Sequence, residues 1–458
     1  MESVGTRTRV IASATVLLVA LAACSSKSSG PSGAAPSGAT ASGATTSGAT
    51  TSGATTSGGA PGNGTTAITV SHGYTDVEAK EIQAQADQWN KLNPTQKVSL
   101  VFNGGNDGAL QKTVAGFTAG NFPDVAYEYG SSASQLAKQP KLVDLTSDVA
   151  ATSFDWNDFY PSERTAATVD GKVVGVPALV DNLSLVYNKK LFAAAGVAEP
   201  TNDWSWQDFA AAAKKLTDAS KQQFGWAYVN DGSEDTVWRY LALLWQAGGD
   251  LLTPDNKAPA FDSAAGLAAL QLLQQMGVTD KSVYLDSGND NYLNLFNSGK
   301  IAMLWTGPWD LSSINPDVSY GVTFLPGYNG DHETISGPDL YMLFDHSSAR
   351  AATAVKFVQW LTSPTVNLQF AIATGDLPLR QSETTLPDYS KFLSTYPSDK
   401  VFVDNLNNVK HVRPNITSYA QVSTAVGQMV QAVLLGQKQP QAALDAAKSQ
   451  VESALAGQ

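Results

Sequence analysis

The chain has 458 residues, a formal net charge of −12, one cysteine and four histidines. That acidic balance argues against nucleic acid or an anionic membrane surface as a partner, because both repel a negatively charged protein. A lone cysteine excludes an intramolecular disulfide, and His72, His332, His346 and His411 include no pair at helical metal-ligand spacing, so neither a metal nor another cofactor is expected.

At the amino end, Arg7 and Arg9 precede an apolar run over 10–23. The run is short for a permanent membrane span and has the form of a secretory signal. It ends Leu21-Ala22-Ala23-Cys24, which resembles the bacterial lipobox. The resemblance implies a signal peptide over 1–23 and an acylated Cys24 that holds the exported chain on the outer face of the cytoplasmic membrane. Residues 24–66 are rich in Ser, Gly, Ala and Thr, with Gly38, Gly43, Gly48, Gly53 and Gly58 at a fixed five-residue period. So little apolar surface cannot offset the entropy of ordering, which predicts a disordered tether. A flexible coil of this length reaches roughly 35–40 Å.

The remainder, 67–458, is too long for one ordinary core and predicts two lobes. Ala67–Ser71 reads as a strand, and Ile82, Ala86, Trp89 and Leu92 then fall on one helical face that Asn93-Pro94 ends. Val98, Leu100 and Phe102 alternate as a second strand, Leu110, Val114 and Phe117 mark a second helix, and Asp124–Tyr127 is a third strand. This β-α-β-α-β order predicts a parallel sheet covered on both faces. Ligands bind such sheets at the carboxyl ends of the strands. Those ends carry three polar or Gly-rich loops: 71–74, 103–107 and 128–130. Two further β-rich runs, over 171–177 and 183–187, flank residues 178–182. Helices are predicted over 205–218 (with Ser205 and Asp208 as a capping-box start), 234–247, 262–276 and 291–298, and strands over 301–304 and 320–325. Four more helices, over 347–361, 364–374, 419–435 and 441–455, fill the final third.

Several segments together resemble a known family. Gly171-Lys-Val-Val-Gly-Val-Pro177 followed by Leu183-Ser-Leu-Val-Tyr-Asn-Lys-Lys-Leu-Phe192, the stretch Glu199 to Phe209, and Phe296-Asn-Ser-Gly-Lys-Ile-Ala-Met-Leu-Trp-Thr-Gly-Pro-Trp309 occur in that order. Tyr320 to Pro326, Phe357 to Ser363 and Arg413-Pro-Asn-Ile416 complete it. This ordered run is similar to the family 1 extracellular solute-binding proteins, whose best-known member is maltose-binding protein. The resemblance implies an α/β, two-lobed periplasmic-binding-protein (Venus-flytrap) fold with discontinuous lobes. Lobe 1 would comprise 67–177 with 341–376, lobe 2 would comprise 183–336 with 382–458, and hinge crossings would fall at 178–182, 337–340 and 377–381.

A sugar presents C–H patches beside hydroxyls, so its recognition calls for aromatic platforms with carboxylates and amides around them. The resemblance places a sugar-stacking residue at Trp309, with Trp305 close by, and an acidic contact at Asp181 with Asn182 beside it. By position at the strand ends, Tyr74, Asn103, Asp107 and Glu128 are further candidates. The segment that supplies an aromatic contact in the family here holds Trp226, Glu234, Asp235 and Trp238. Gly337 and Asp339 mark the second crossing and Arg380 the third, where a hinge tie competes with a ligand contact. The carboxy-terminal helix departs from maltose-binding protein: Ser423 and Gly427 stand near the place of a stacking Trp.

There is no Gly-x-Ser-x-Gly elbow and no phosphate-binding P-loop, and Asp286-Ser-Gly-Asn-Asp290 lacks the spacing of an EF-hand. The expectation is therefore a non-enzymatic monomer that captures a mono- or oligosaccharide by hinge closure and hands it to the permease of an ABC importer. The alternatives are the same fold binding a polyol phosphate or peptide, or a lipid-anchored carbohydrate-active enzyme.

Overall fold

The computed structural model describes residues 64–104, 106–288 and 291–457. The signal run, Cys24 and almost all of the tether lie outside the described residues, as does the side chain of Asp107. The strands, in chain order, are β1 (Thr66–His72), β2 (Gln96–Phe102), β3 (Val125–Tyr129), β4 (Thr168–Val169), β5 (Lys172–Val173), β6 (Val176–Leu179) and β7 (Ser184–Asn188). They continue with β8 (Phe224–Val229), β9 (Val283–Asp286), β10 (Ile301–Thr306), β11 (Tyr320–Thr323) and β12 (Asp339–Leu343).

Two five-stranded sheets result, in the orders β2-β1-β3-β12-β6 and β11-β7-β10-β8-β9, with β4-β5 as a separate hairpin. In the first sheet β1 runs parallel to β2 and β3, as the alternation of elements predicts, while β12 lies antiparallel to both β3 and β6. The sheet is thus mixed rather than wholly parallel. In the second sheet β8 is parallel to β9 and β10, and β7 is antiparallel to β10 and β11. The chain leaves the first sheet after β6, enters the second at β7, and returns at β12. Helix Ser348–Leu361 then packs on β1 and β12, whereas Tyr419–Leu434 packs on helix Glu234–Gln246 of the second sheet. Both lobes of this α/β fold are therefore built from separated stretches of sequence.

Period-two alternation divides the cores. On β12, Tyr341 and Leu343 face one cluster with Ile68, Val70 and Val125, while Leu340 and Met342 face another with Ala126 and Phe344. The helices predicted after β1 and β2 cover opposite faces: Ile82, Ala86 and Trp89 join the first cluster, Leu110, Val114 and Phe117 the second. On β8, Trp226 and Tyr228 point into the large second-lobe core, and Ala227 and Val229 point away from it.

The capping box is present: Ser205 N–H donates to Asp208 Oδ2 at 3.0 Å and Asp208 N–H to Ser205 Oγ at 3.1 Å. The run over 171–177 is not one strand. Asp170 (φ 50°) and Gly171 (φ 75°) turn the β4-β5 hairpin, and β6 starts only at Val176. Strands β8, β9 and β12 were not anticipated. No helix among the described residues is long and apolar enough to cross a membrane.

Candidate ligand-binding cleft

A cavity of about 470 Å³ opens between the two sheets, within the size range of small-molecule sites. Residues of both sheets and of segments that connect their elements border it.

On the second-lobe wall, helix Glu234–Gln246 starts at the cavity because Ser233 caps it, its hydroxyl accepting from Asp235 N–H at 3.2 Å. One turn on, Trp238 faces the hollow and its ring meets that of Trp309 at 5.6 Å and 39°. Trp309 follows β10 in a 3-10 turn, Pro308–Ser313. Its ring folds back over Gly307 so closely that a Cβ there would sit 1.8 Å from Trp309 Cζ3. Any side chain at position 307 would displace the platform. Two acids on this wall, Glu234 and Asp235, are paired with arginines. Glu234 accepts from Arg413 Nη1 at 3.0 Å, from the Tyr419 hydroxyl at 2.8 Å and from the Ser423 hydroxyl, while Asp235 binds the buried Arg239.

The opposite wall differs. Asp181 Oδ1 accepts from Gly337 N–H at 2.7 Å, and Asp339 accepts from the Tyr127 hydroxyl; neither donor is charged. Gly337 is required here by close approach, since a Cβ would lie 2.9 Å from Asp181 Oδ1 and 3.1 Å from Trp238 Cζ2. Asp376 is 6% exposed, and its Oδ2 has no hydrogen-bond partner among the described residues. Burial pushes the Asp181 carboxyl up to about 7, opposed by the Gly337 N–H hydrogen bond and the charge of Arg413, with a smaller upward contribution from the charge of Asp376. Burial likewise pushes Asp376 up to about 6. Asp339 is raised well above the carboxylate range, by burial first and then by the charge of Asp181.

Of the residues singled out from sequence, Asp181, Glu234, Asp235, Trp238, Trp309, Gly337 and Asp339 border this cavity. Others stand elsewhere. Trp226 and Trp305 are core residues, 0% and 1% exposed, with rings 5.1 Å apart and both packed on Phe209, because their strand positions point away from the cleft. Arg380 is buried with its guanidinium 3.8 Å over the Phe159 ring and Nη1 donating to Asp155 O at 2.9 Å, so it ties the segment after helix Pro364–Thr374 to residues 155–159. Asn182 donates to Phe402 O at 2.8 Å. Tyr74 lies behind Tyr127, its hydroxyl 3.1 Å from that of Tyr341. Glu128 accepts from the Thr113 hydroxyl at 2.6 Å, its carboxyl pushed up to about 7 by burial. Asn103 accepts from Lys112 Nζ at 2.6 Å through its carbonyl.

Sequence reasoning missed other lining residues: Glu78, Tyr127, Tyr129, Tyr292, Asp376 and Arg413. Arg413 opens the Arg-Pro-Asn-Ile segment and Asp376 adjoins the crossing expected over 377–381, so a signal existed for those two. Tyr292 donates to Asp310 Oδ2 at 2.8 Å, a partnership that only the fold creates. Among the described residues no cluster of His, Cys, Asp or Glu is placed to hold a metal ion. Chemically, the arrangement offers an aromatic surface on one side and strong hydrogen-bond acceptors on the other.

The family of bacterial extracellular solute-binding proteins matches residues 74–367. Among curated proteins, the sn-glycerol-3-phosphate-binding periplasmic protein UgpB of Pectobacterium atrosepticum is 25% identical over 412 residues, covering 85% of this chain and 91% of that protein. Among solved structures, the cyclic alpha-maltosyl-1,6-maltose binding protein of Arthrobacter globiformis has a TM-score of 0.76 and 28% identity, covering 86% of this chain and 100% of that one. An ABC transporter solute-binding protein from Thermotoga lettingae, bound with alpha-D-tagatose, has a TM-score of 0.73 and 25% identity, covering 85% and 99%. With the matched segment spanning well over half of the chain, the protein belongs to the bacterial extracellular solute-binding protein family.

Proposed function

We propose that this protein is the exported substrate-binding component of an ABC importer, that it captures a carbohydrate in the interlobe cleft, and that it delivers the sugar to a membrane permease. Cys24 anchors it by lipid to the outer face of the cytoplasmic membrane, and the glycine-periodic segment is the tether. The observation that carries the carbohydrate reading is the Trp238–Trp309 pair facing Asp181, Asp339 and Asp376 across one cavity. Stacked rings suit the C–H face of a sugar, and carboxylates accept strongly from its hydroxyls. The sugar-named relatives from Arthrobacter and Thermotoga support the same reading.

The UgpB relative raises a polyol phosphate as the rival ligand. A phosphate calls for a cation to receive it. The cations lining the cavity, Arg239 and Arg413, are already committed to Asp235 and Glu234. The cleft therefore favours a ligand without negative charge, and no residue set argues for turnover.

Capture proceeds by hinge closure about residues 178–182, 337–340 and 377–381, with the ligand bridging the walls and water expelled. A ligand drives closure only by its greater affinity for the closed state; about 5.5 kcal/mol moves the balance from 1:99 to 99:1. The test is a thermal-shift screen of mono- and oligosaccharides alongside glycerol 3-phosphate. A cognate sugar at a hundredfold excess over its Kd adds about 2.7 kcal/mol of stability, and Trp309→Ala removes most of that gain. Stabilisation by glycerol 3-phosphate and by no sugar would reject the carbohydrate reading.

A further inference from the structure

We infer that the ligand of this cleft carries a protonated amine, as in an amino sugar or an amine-bearing oligosaccharide, and that Asp376, with Asp181 and Asp339, receives the ammonium group. The inference rests on the carbohydrate reading above and narrows it.

The first ground is the imbalance of charge. On the second-lobe wall Glu234 is paired with Arg413 and Asp235 with Arg239, while Asp231 accepts from Ser233 N–H at 2.9 Å and from the Thr236 hydroxyl at 3.1 Å. Across the cavity Asp181 and Asp339 are held by an amide and a phenol, which orient a carboxylate without neutralising it. Carboxylates crowded in a low-dielectric hollow repel one another and lose hydration, so a cation placed among them relieves both costs.

The second ground is independent of the cluster. Asp376 is 94% removed from solvent by its 6% exposure, borders the cavity, and leaves Oδ2 without a hydrogen-bond partner among the described residues. Buried acceptors are seldom left unpaired, and one on a residue that borders a ligand cavity points to a donor on the ligand. An ammonium supplies three donors and a full charge, and its hydrogen bonds to carboxylate are stronger than those of a hydroxyl. Trp238 adds to the argument: it is 7% exposed, lines the same hollow, and with Trp309 offers ring faces that attract a cation as well as a sugar face.

The buried acids respond in the same sense. Burial raises the pKa of Asp181 to about 7 and, with the charge of Asp181 beside it, raises that of Asp339 well above the carboxylate range; an entering ammonium would favour the ionised forms of both.

Matched ligand pairs titrated calorimetrically into the full chain at neutral pH provide the test: glucosamine with glucose, galactosamine with galactose, and the fully deacetylated glucosamine disaccharide with cellobiose. We expect at least one amine to bind about tenfold or more tightly than its hydroxyl counterpart. Asp376→Asn should pull that ratio toward one, and the ratio is a readout that a general loss of folding would not produce. If the hydroxyl members bind as tightly as the amines, the amine inference fails while the carbohydrate reading stands. If no amine binds, the inference fails too, and if glycerol 3-phosphate binds while all sugars are silent, both fall together.

Discussion

The two walls of the cleft solve the burial of carboxylates in different ways. On the second-lobe wall, Glu234 and Asp235 sit at a capped helix start and each meets a buried arginine. On the other, Asp181, Asp339 and Asp376 are held by uncharged donors or, at Asp376 Oδ2, by none among the described residues. On the first wall Glu234 and Asp235 are neutralised without ligand, and the Trp238 indole N–H is the donor left without a partner there among the described residues. The second is under electrostatic tension until a ligand brings hydrogens. A binding protein gains from such a division, because only interactions satisfied on closure can drive closure.

Four experiments break or sharpen this contrast, from the largest effect to the smallest. Arg413→Ala removes the cation from the half-buried Glu234 and should cost about 3 kcal/mol in chemical denaturation, since an uncompensated charge remains. A loss within the range of a surface pair would mean that the second-lobe wall is not held by that ion pair. Trp309→Ala should weaken sugar binding by roughly thirtyfold, or about 2 kcal/mol, in calorimetry, with little change in unliganded stability. Undiminished affinity would remove the aromatic platform from the account.

Asp376→Asn addresses the other wall. It should stabilise the unliganded protein by about 1–2 kcal/mol near pH 8, the reverse of the Arg413 result, because it removes a buried charge that folding raises in pKa. A destabilised variant would contradict the proposed tension. The smallest effect concerns pH itself. Asp181 and Asp376 have folded pKa values of about 7 and 6, above their ordinary range, so their contribution is present at low pH and lost as pH rises through those values. The unliganded melting temperature should therefore fall by roughly 2 °C between about pH 6 and pH 8, and the Asp181→Asn/Asp376→Asn double variant should flatten that slope.

How far the site could be read in sequence follows the same division. Trp309, Trp238, Asp181, Gly337 and Asp339 could be named in advance because the ordered motifs around them resemble those of a known family, which supplied their positions in the cleft. Trp226 and Trp305 could be assigned to strands or strand ends but not to a face. Met303 pairs with Trp226, and only that register reveals that Trp226 and Trp305 point inward onto Phe209. Strand β8, Phe-Gly-Trp-Ala-Tyr-Val, buries both faces and so shows no alternation to read. Strand β12 takes its place beside β3 from 210 residues further along the chain, as the Asp339–Tyr129 pairing shows, and no local window carries that pairing. Asp376 went unnamed for a similar reason: its significance lies in an unpaired oxygen, which exists only once the surrounding residues are placed.

The most direct measurement is a crystal structure of the tether-free protein with a saccharide that the screen finds to bind. The account predicts a sugar ring lying on Trp309 beside Trp238, with its polar groups on Asp181, Asp339 or Asp376. A saccharide bound outside this cavity, or one inside it that touches neither the tryptophans nor those three acids, would contradict it.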